Sequence, residues 1–373
     1  MKYIGYYDIN DKEKRRYVLA ATNKMSYISK VVSSQTEKCD IISISETKAN
    51  KFYRGKINDI NYGISLKKFF TIPGRERILS KISRQLMKLR LFLFLVANTK
   101  KNEIILVYHS LGYGNAVYIA KKLKKFNVML EVEEIYQDVK SLGKRNNKRE
   151  YRDFKDADMY IFPTKLLNDK INLKNKPYAI IHGTYQVEKD RGVSFNDKKI
   201  HVVYAGTFDP HKGGAIAAVG STEFLSENYH VHIIGFGSDK DTEYIRKVID
   251  NTNKKSKATV TYDGLLSGEE YIQFLQKCQI GLSTQNPEAK FNDTSFPSKI
   301  LSYMANGLRV VTVRIPAIEA SDIGNDVYYY DKQEPEEIAK VIMSIDFNDG
   351  YDGRSKIKNL DKKFSMELKT LLG

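Results

Sequence analysis

The sequence predicts an α/β protein made of two doubly wound domains, and three observations lead to this prediction. The chain has 373 residues, more than the ~250–300 that a single hydrophobic core usually supports. Short β-branched segments alternate with segments of helical spacing along both halves, which is typical of parallel sheets with crossover helices. A polar, turn-rich stretch at residues 187–199, VEKDRGVSFNDKK, separates the two halves.

The first half alternates strands and helices in a regular order. KYIGYY is the first expected strand, followed by the helical segment YVLAATNKMSYISKVVSS and the strand CDIISIS. A basic segment comes next. Beyond it we expect the strand EIILVYH, the helix GNAVYIAKKLKKF and the strands VMLEVEEIY, MYIFPT and YAIIHG. We assign residues 1–190 to this first, Rossmann-like domain.

The same pattern restarts in the second half. The expected strands are HVVYAG, VHIIGFG, ATVTYDG, QIGLST and LRVVTV, with helices at EEYIQFLQKC and SKILSYMANG. We assign residues 200–350 to this second Rossmann-like domain, and we expect a helix over 352–373 that packs back on the first. Ligands of open α/β sheets bind at the carboxyl ends of the strands, so we expect the chemistry in a cleft where the two domains face each other.

Composition limits the possible partners and compartment. Sixty-one Lys and Arg against 45 Asp and Glu give a net charge of +16, which implies an anionic partner such as nucleic acid, anionic lipid or a phosphorylated substrate. The two cysteines are too few for a disulfide scaffold or a zinc site. The apolar run at 91–97 is far shorter than the ~20 residues of a membrane span, and the amino terminus does not resemble a signal peptide. We therefore expect a cytoplasmic protein.

Much of the excess charge lies in one segment. Residues 67–101 contain ten basic residues and one acidic residue, and Ile78, Ile82, Leu86, Leu89 and Leu93 recur at helical spacing. This pattern is typical of a helix that lies on an anionic membrane surface, here the inner face of the plasma membrane. The alternative is a helix packed on its own sheet with a solvated basic side. The expected membrane contacts are Arg75, Arg77, Lys81, Arg84, Lys88 and Arg90. The concentration on one apolar-backed helix disfavours nucleic-acid binding.

Three loops of the second half have features of anion-binding sites. YAGTFDPHKGG places Lys212 between a strand-end glycine and two further glycines, where backbone N–H groups can approach a phosphate. IIGFGSD places Gly235 and Gly237 directly after a strand. In NDTSFPSKILSYMANGLRVV, a lysine occupies the first turn of a helix, where it opposes the helix dipole and hints at an anionic ligand. Each loop has a purely structural alternative, since glycine turns after strands are common. Hydroxyl residues at 294, 295 and 298 are expected to cap this helix.

The order of these loops resembles the donor domain of GT-B-fold glycosyltransferases, specifically the retaining group classed as family four. That family has a strand ending in G-R-L, then P-x-K-G, a G-x-G turn, a strand ending in glycine, and a helix finishing A-x-G-x-P-V-V. Here these segments are GTFDPHKGG, GFGS, YDGLLS and NDTSFPSKILSYMANGLRVV, in the same order. The resemblance covers about residues 202–345 well and the first half more loosely.

The resemblance implies a set of donor-binding residues. Lys212 matches the diphosphate-binding lysine, Gly206 the strand-end glycine, and Gly235 and Gly237 the nucleotide turn. Leu265 and Leu266, which follow Gly264, lie where the family holds the base of the nucleotide. Ser295, Ser298 and Lys299 fall where the loop and helix start meet the sugar and the diphosphate.

This chain departs from the family at three positions. The arginine beside the strand-end glycine is Thr207 here, and Lys299 is a candidate to replace its charge. The family's two glutamates, which contact the donor sugar and the ribose, become Thr294 and Ser302. Glu288 in the preceding loop is a candidate substitute for the first of them.

Candidate acceptor-side residues lie in the first half. LEVEEIYQDV occupies the place where relatives have a strand ending in His-Asp beside the acceptor, so Glu133 and Glu134 are candidates to orient or deprotonate an acceptor hydroxyl. Adjacent residues on a strand point to opposite faces, so we expect only one of the two to reach the cleft. His109, at the end of EIILVYH, is a third catalytic candidate. Each of these residues has a structural alternative as a strand-end polar group.

The leading functional prediction is a metal-independent hexosyltransferase without a cofactor. It takes a sugar from a nucleotide-diphosphate donor, a UDP-sugar being favoured, and transfers it to a membrane-associated, lipid-linked saccharide in bacterial surface or capsule polysaccharide synthesis. The resemblance implies retention of the anomeric configuration. The main alternative is a non-catalytic accessory subunit that binds sugar or a partner transferase. A sugar-nucleotide epimerase shares the architecture, but it requires several acids and histidines in the cleft.

Overall fold

The structure is a computed structural model that describes every residue except 10, 75, 140–142, 210–212, 290, 291 and 293. Two of the predicted site residues, Arg75 and Lys212, therefore lie outside the described residues. The chain divides into two compact units. Unit 1 comprises Met1–Ile181 and Phe364–Gly373, and unit 2 comprises His182–Lys363.

Unit 1 is built on an eight-stranded sheet. Its strands are β1 Lys2–Gly5, β2 Cys39–Ser43, β3 Lys56–Asn61, β4 Ile64–Lys68, β5 Ile104–Tyr108, β6 Asn127–Glu131, β7 Met159–Phe162 and β8 Tyr178–Ile180. They lie in the order β3-β4-β2-β1-β5-β6-β7-β8. All neighbouring strands are parallel except β3 and β4, which form an antiparallel hairpin at one edge. The six strands expected from the sequence are confirmed, and the edge hairpin is an addition.

Helices cover this sheet and complete its core. In unit 1 they are α1 Leu19–Thr36, α2 Arg77–Asn98, α3 Gly114–Lys124, α4 Tyr136–Val139, α5 Lys144–Asp156 and α6 Lys165–Ile171. Helix α2 buries Met87, Leu91 and Leu95 in a core cluster that includes Ile4 of β1 and Val128 of β6. A stripe at i, i+4 and i+8 is the spacing that one face of a helix requires. The core therefore uses only one of the two apolar stripes on α2.

Unit 2 is built on a six-stranded, all-parallel sheet. Its strands are β9 Ile200–Thr207, β10 Tyr229–Phe236, β11 Thr259–Gly264, β12 Ile280–Ser283, β13 Arg309–Val313 and β14 Tyr328–Tyr330. The spatial order is β11-β10-β9-β12-β13-β14. Numbered within the unit, this is 3-2-1-4-5-6, the order of dinucleotide-binding doubly wound sheets. The helices of unit 2 are α7 Gly214–Ser221, α8 Asp239–Asn253, α9 Gly268–Lys277, α10 Lys299–Ala305, α11 Pro316–Glu319 and α12 Pro335–Met343. The last helix, α13 Gly353–Leu372, begins in unit 2 and ends in unit 1.

In each sheet the order of the strands reverses at one point. The strand order reverses between β1 and β5 in unit 1 and between β9 and β12 in unit 2. Doubly wound sheets bind ligands just outside the carboxyl ends of the strands at such a point. The last ten residues of the chain, Phe364–Gly373, belong to unit 1, where Phe364 packs 6.1 Å from the ring of Tyr27. Among the described helices, none is long and apolar enough to cross a membrane.

Candidate functional site

In unit 2, the carboxyl ends of β9 and β10 approach so closely that a side chain does not fit between them. Gly235 has φ +140°, and a Cβ at this position would lie 1.8 Å from the carbonyl oxygen of Gly206. L side chains rarely adopt this backbone conformation, and the contact is shorter than any atom pair tolerates. The two glycines thus leave bare backbone at the end of β9, beside the reversal point.

A tyrosine and a lysine line the same strand end. Lys299 is the first residue of α10, as predicted, and its Nζ lies 4.3 Å from the centroid of the Tyr204 ring. A Cβ on Gly206 would lie 3.1 Å from this Nζ and 3.1 Å from the Tyr204 hydroxyl oxygen. Burial and the Asp209 carboxylate raise the pKa of Tyr204 to about 12, so its hydroxyl is neutral and donates to the carbonyl of Thr207 at 3.2 Å. The arrangement places one positive charge beside exposed backbone, which suits an anionic ligand.

The start of α7 packs directly against the loop after β12. Gly213, the N-cap residue, has φ +62°, and a Cβ on Gly214 would lie 2.5 Å from the carbonyl oxygen of Thr284. The Thr284 hydroxyl donates to the carbonyl of Gly214 at 2.7 Å. The side-chain amide of Gln333 donates to the carbonyl of Thr284 at 3.1 Å. These contacts fix the amino end of α7 at the reversal point, where a helix N-terminus favours an anion.

The remaining donor-side candidates occupy several places in unit 2. Thr207 is exposed and pairs with Phe236 at the end of the sheet. Gly237 packs closely, since a Cβ there would lie 2.9 Å from the Cβ of Phe208. Leu265 is exposed and Leu266 half-buried, and both follow the carboxyl end of β11. Of the predicted donor residues that the structure describes, Gly206, Gly235 and Lys299 lie together at this strand end.

The hydroxyl residues and the loop glutamate lie on either side of the start of α10. Ser298 is the N-cap residue of α10, but its side chain makes no cap hydrogen bond, so the predicted capping role of Ser298 is wrong. Thr294 is buried and Ser295 half-buried. The Ser302 hydroxyl lies 3.4 Å from the hydroxyl of Tyr271. Glu288 is exposed, and its backbone N–H donates to the side-chain oxygen of Asn286 at 2.9 Å.

Unit 1 has a cavity of about 240 Å³ at the carboxyl ends of β1, β5 and β6. Its lining includes all three predicted catalytic residues, Glu133, Glu134 and His109. The expectation that only one of the two glutamates reaches the site is wrong, because β6 ends at Glu131 and both residues lie beyond the strand. The other residues that line the cavity are Tyr6, Val18, Ala21, Tyr108, Ser110 and Tyr136.

An ion pair fixes one of these glutamates. The Nζ of Lys24 lies 2.6 Å from Oε1 of Glu133 and donates to the carbonyl of Ile181 at 3.1 Å. Behind it, burial and the Glu133 carboxylate raise the pKa of Glu131 well above its usual range, and the Tyr3 hydroxyl donates to Glu131. Glu131 is therefore a neutral, buried acid behind the wall of the cavity.

His109 is a buried, neutral imidazole. Its ring stacks on Tyr136 with 4.8 Å between centroids and lies 4.9 Å from Phe154. Burial lowers the pKa of His109 to about 3, so the ring is uncharged at neutral pH. Nε2 of His109 lies 3.9 Å from Oε1 of Glu150, whose own pKa is raised by burial. Its catalytic role stays a prediction, and the structure favours a neutral positioning group over a general acid.

The basic helix α2 exposes the apolar residues that the sequence singled out. Ile78 is 72% and Leu93 54% exposed, while the core takes the other stripe of the helix. Of the predicted membrane contacts in α2, Lys81 and Arg84 are exposed and Lys88 and Arg90 are half-buried. Arg77 is the first residue of the helix. The guanidinium of Arg90 donates to the carbonyl of Phe70 and lies 4.5 Å from the centre of its ring, so Arg90 attaches α2 to its own unit.

Helices α2, α3 and α5 enclose a second, basic cavity of about 660 Å³. Lys88, Arg145 and Arg149 line it beside apolar residues such as Phe92 and Ile119. Burial and the charges of Arg149 and Arg84 lower the pKa of Lys88. Like charges that repel one another in this way are stabilised by a bound anion.

The class of unit 2 follows from a family comparison. Residues 199–345 match the family model described as glycosyl transferases group 1. This stretch, less than half of the chain, is similar to the catalytic domain of group 1 glycosyltransferases. The predicted enzyme class, a glycosyltransferase, is thereby confirmed. The glycine-lined strand ends and Lys299 are part of this stretch. A search of curated proteins finds no match.

Solved structures of the same fold cover the whole chain. Sucrose-phosphate synthase from Thermosynechococcus elongatus is 12% identical with a TM-score of 0.67, covering 100% of this chain and 98% of its own. The Anabaena protein HepE, in complex with UDP and glucose, is 12% identical with a TM-score of 0.64, covering 100% and 98%. The lipopolysaccharide outer core galactosyltransferase WaaB is 14% identical with a TM-score of 0.61, covering 99% and 97%. The predicted GT-B fold is confirmed.

Several residues at these sites have no counterpart in the sequence analysis. They include Tyr204, Thr284 and Gln333 in unit 2 and Lys24 and Tyr136 in unit 1. The sequence pattern indicates two of these residues. Tyr204 shares a strand face with Gly206, two residues away, and Thr284 directly follows an apolar strand. Lys24 lies in the middle of α1, where nothing local distinguishes it from a solvated lysine.

Proposed function

We propose that the chain transfers a sugar from a UDP-sugar, bound by unit 2, to a lipid-linked saccharide bound by unit 1, with retention of the anomeric configuration. The observation that carries the donor half is the bare backbone of Gly206 beside the Lys299 ammonium at the reversal point of unit 2, in the stretch that matches the group 1 glycosyltransferase family model. Departure of a nucleoside diphosphate adds negative charge to a diphosphate that already carries two, and these charges have to be stabilised. A lysine and the start of α7 stabilise them without a metal ion.

The fold relatives support the choice of donor, and the motif order supports the retaining outcome. HepE was solved with UDP and glucose, and a Burkholderia xenovorans neighbour is a UDP-forming trehalose-phosphate synthase. The order of the donor motifs resembles the retaining family-four group. The hydroxyls of Thr294 and Ser302, in place of two glutamates, are then the groups that contact the sugar and the ribose.

The acceptor half of the proposal depends on unit 1. The cavity lined by Glu133 and Glu134 lies at the carboxyl ends of its strands, where an acceptor hydroxyl has two carboxylates within its reach. The exposed apolar stripe of α2 and the basic cavity lined by Lys88, Arg145 and Arg149 suit an acceptor that combines a phosphate with a hydrocarbon chain. Such an acceptor places the protein peripherally on the inner face of the plasma membrane, in assembly of a surface polysaccharide.

A transfer assay separates this proposal from its rivals. The full chain is incubated with UDP-glucose, UDP-galactose or UDP-N-acetylglucosamine and with either a polyprenyl-diphosphate-linked monosaccharide or glucose 6-phosphate. We expect UDP release and labelled lipid product with one of the donors. Product from glucose 6-phosphate alone would overturn the lipid-linked acceptor, and no UDP release with any pair would overturn the transferase proposal.

Membrane docking through α2 has a direct test in vesicle binding. Each basic residue near an anionic surface contributes about 1 kcal/mol, so reversing Lys81 and Arg84 together removes at least ~2 kcal/mol, about 30-fold in partitioning. We expect Lys81→Glu/Arg84→Glu to lose co-sedimentation with phosphatidylglycerol-containing vesicles by at least that factor. Lys254→Glu/Lys255→Glu makes the same charge change on exposed lysines of unit 2, and we expect it to bind like the wild type. Equal loss in both pairs would show that net charge, not α2, is responsible.

A further inference from the structure

Three of the six histidines form a cluster in the sheet of unit 2. His201 lies on β9 and His230 and His232 on β10, and one ring nitrogen from each lies within 4.8 Å of the others. His201 and His230 are register partners in neighbouring strands. The cluster is near the amino ends of these strands. On β9 it is five residues from Gly206, about 16 Å at ~3.3 Å per residue, and therefore separate from the donor site.

Carboxylates fix the protonation of two of these rings. Nε2 of His201 lies 2.7 Å from Oδ1 of Asp197, and Nδ1 of His232 lies 3.1 Å from Oδ2 of Asp263. An ionised carboxylate only accepts hydrogen bonds, so the outer nitrogen of each ring carries the proton. The inner nitrogens, Nδ1 of His201 and Nε2 of His232, are then bare, and they face each other at 2.9 Å.

The hydroxyl of a threonine determines which nitrogen of the third ring, that of His230, carries the proton. The hydroxyl of Thr261 donates to Oδ2 of Asp263 at 2.9 Å, so its oxygen accepts from the ring of His230, whose Nε2 lies 3.1 Å away. Nδ1 of His230 is consequently the bare nitrogen of that ring. All three imidazoles are left with one unprotonated nitrogen, and each of their protonated nitrogens already has an acceptor.

Two bare nitrogens at hydrogen-bond distance repel each other unless a proton or a cation lies between or beside them. An unprotonated imidazole nitrogen is the form in which histidine binds a metal ion. The three bare nitrogens are therefore available as ligands.

We propose that His201, His230 and His232 bind one divalent transition-metal cation of the zinc class, with solvent completing its coordination. Imidazole nitrogens suit zinc and its neighbours, and hydrogen bonds from their other nitrogens to carboxylates orient such ligands in metal sites. Phe195 stacks 4.0 Å from the ring of His201, between ring centroids, and shields the cluster from water, while the half-buried His230 leaves a route for the ion. The cation attaches the polar stretch that bears Phe195 and Asp197 to the sheet, and so stabilises unit 2.

Zinc titration of the full chain tests this site. The protein, produced without a histidine tag and treated with a chelator, is titrated with Zn²⁺ by calorimetry and with Co²⁺ by visible absorption. We expect one ion per chain, a higher unfolding midpoint with Zn²⁺, and cobalt ligand-field bands. Asp263→Asn keeps all three imidazoles and removes one outer partner, so we expect it to weaken Zn²⁺ affinity about 10–100-fold. His230→Asn should abolish the cobalt bands.

Asp250→Asn is the matched control, since it neutralises an exposed aspartate on α8 of the same unit. It should bind Zn²⁺ as the wild type does. Absence of Zn²⁺ binding by the folded wild type would overturn the proposal. Unchanged affinity in both Asp263→Asn and His230→Asn would overturn it equally, because the ion would then bind elsewhere.

Discussion

Replacing Gly235 by alanine is expected to abolish nucleotide binding by unit 2. The residue has φ +140°, which alone costs an L-residue about 1–3 kcal/mol. The added methyl group would also lie 1.8 Å from the carbonyl oxygen of Gly206. The ends of β9 and β10 have to separate, and this displaces the backbone that we assign to the donor diphosphate. Calorimetric titration with UDP and urea unfolding measure the two effects.

Gly350→Ala is the matched control for this substitution. Gly350 lies in the same unit with φ +71°, but a Cβ there would contact nothing within 4 Å. We expect it to lower the free energy of unfolding by about 1–2 kcal/mol through backbone strain alone and to retain UDP affinity. If both variants lose UDP binding equally, general destabilisation of the unit, and not the approach of Gly235 to Gly206, is responsible.

Glu133→Gln is expected to lower the rate of sugar transfer by about 10²–10⁴-fold, the usual contribution of a positioned carboxylate that orients or deprotonates a hydroxyl. The contact with Lys24 orients Glu133 at the cavity wall. UDP affinity of unit 2 should not change, because the residue lies in unit 1. Transfer and UDP binding are measured on the same preparation, with Glu134→Gln as the comparison.

Loss of Glu133 also leaves the buried Lys24 without its carboxylate partner, which destabilises the unit. The double variant Lys24→Met/Glu133→Gln removes both charges and should recover much of the thermal stability. We expect it to stay as inactive as Glu133→Gln. Recovery of transfer along with stability would show that Glu133 is a structural partner of Lys24 and not a catalytic residue.

The order of strands and glycine loops was predictable because it depends on local patterns. Apolar β-branched runs that end in glycine predicted β9, β10 and β11, and the order of their loops predicted the glycosyltransferase class of this stretch. The β3–β4 hairpin also left a signal. Tyr62 and Gly63, with φ +54° and +72°, form its two-residue turn, and glycine at the second position is typical of such turns.

The sites were less predictable because they depend on which residues the topology brings together. The Lys24–Glu133 pair joins residues 109 positions apart, and no local pattern announces it. The His201 cluster likewise joins a strand, its neighbour and a segment that the sequence analysis interpreted only as a boundary. The interpretation of Glu133 and Glu134 as strand residues was wrong because β6 ends two residues before Glu133, so alternation no longer separates their side chains.

The central claim is that a nucleoside diphosphate binds beside Gly206 and Lys299, and calorimetric titration of the full chain with UDP tests it most directly. A charge-assisted contact of about 1.5–3 kcal/mol predicts that Lys299→Ala weakens UDP binding about 10–100-fold. Lys340→Ala, which removes an exposed lysine from α12, should bind like the wild type. Equal UDP affinity in Lys299→Ala and the wild type, or no binding of UDP, GDP or ADP by the folded wild type, would contradict the account.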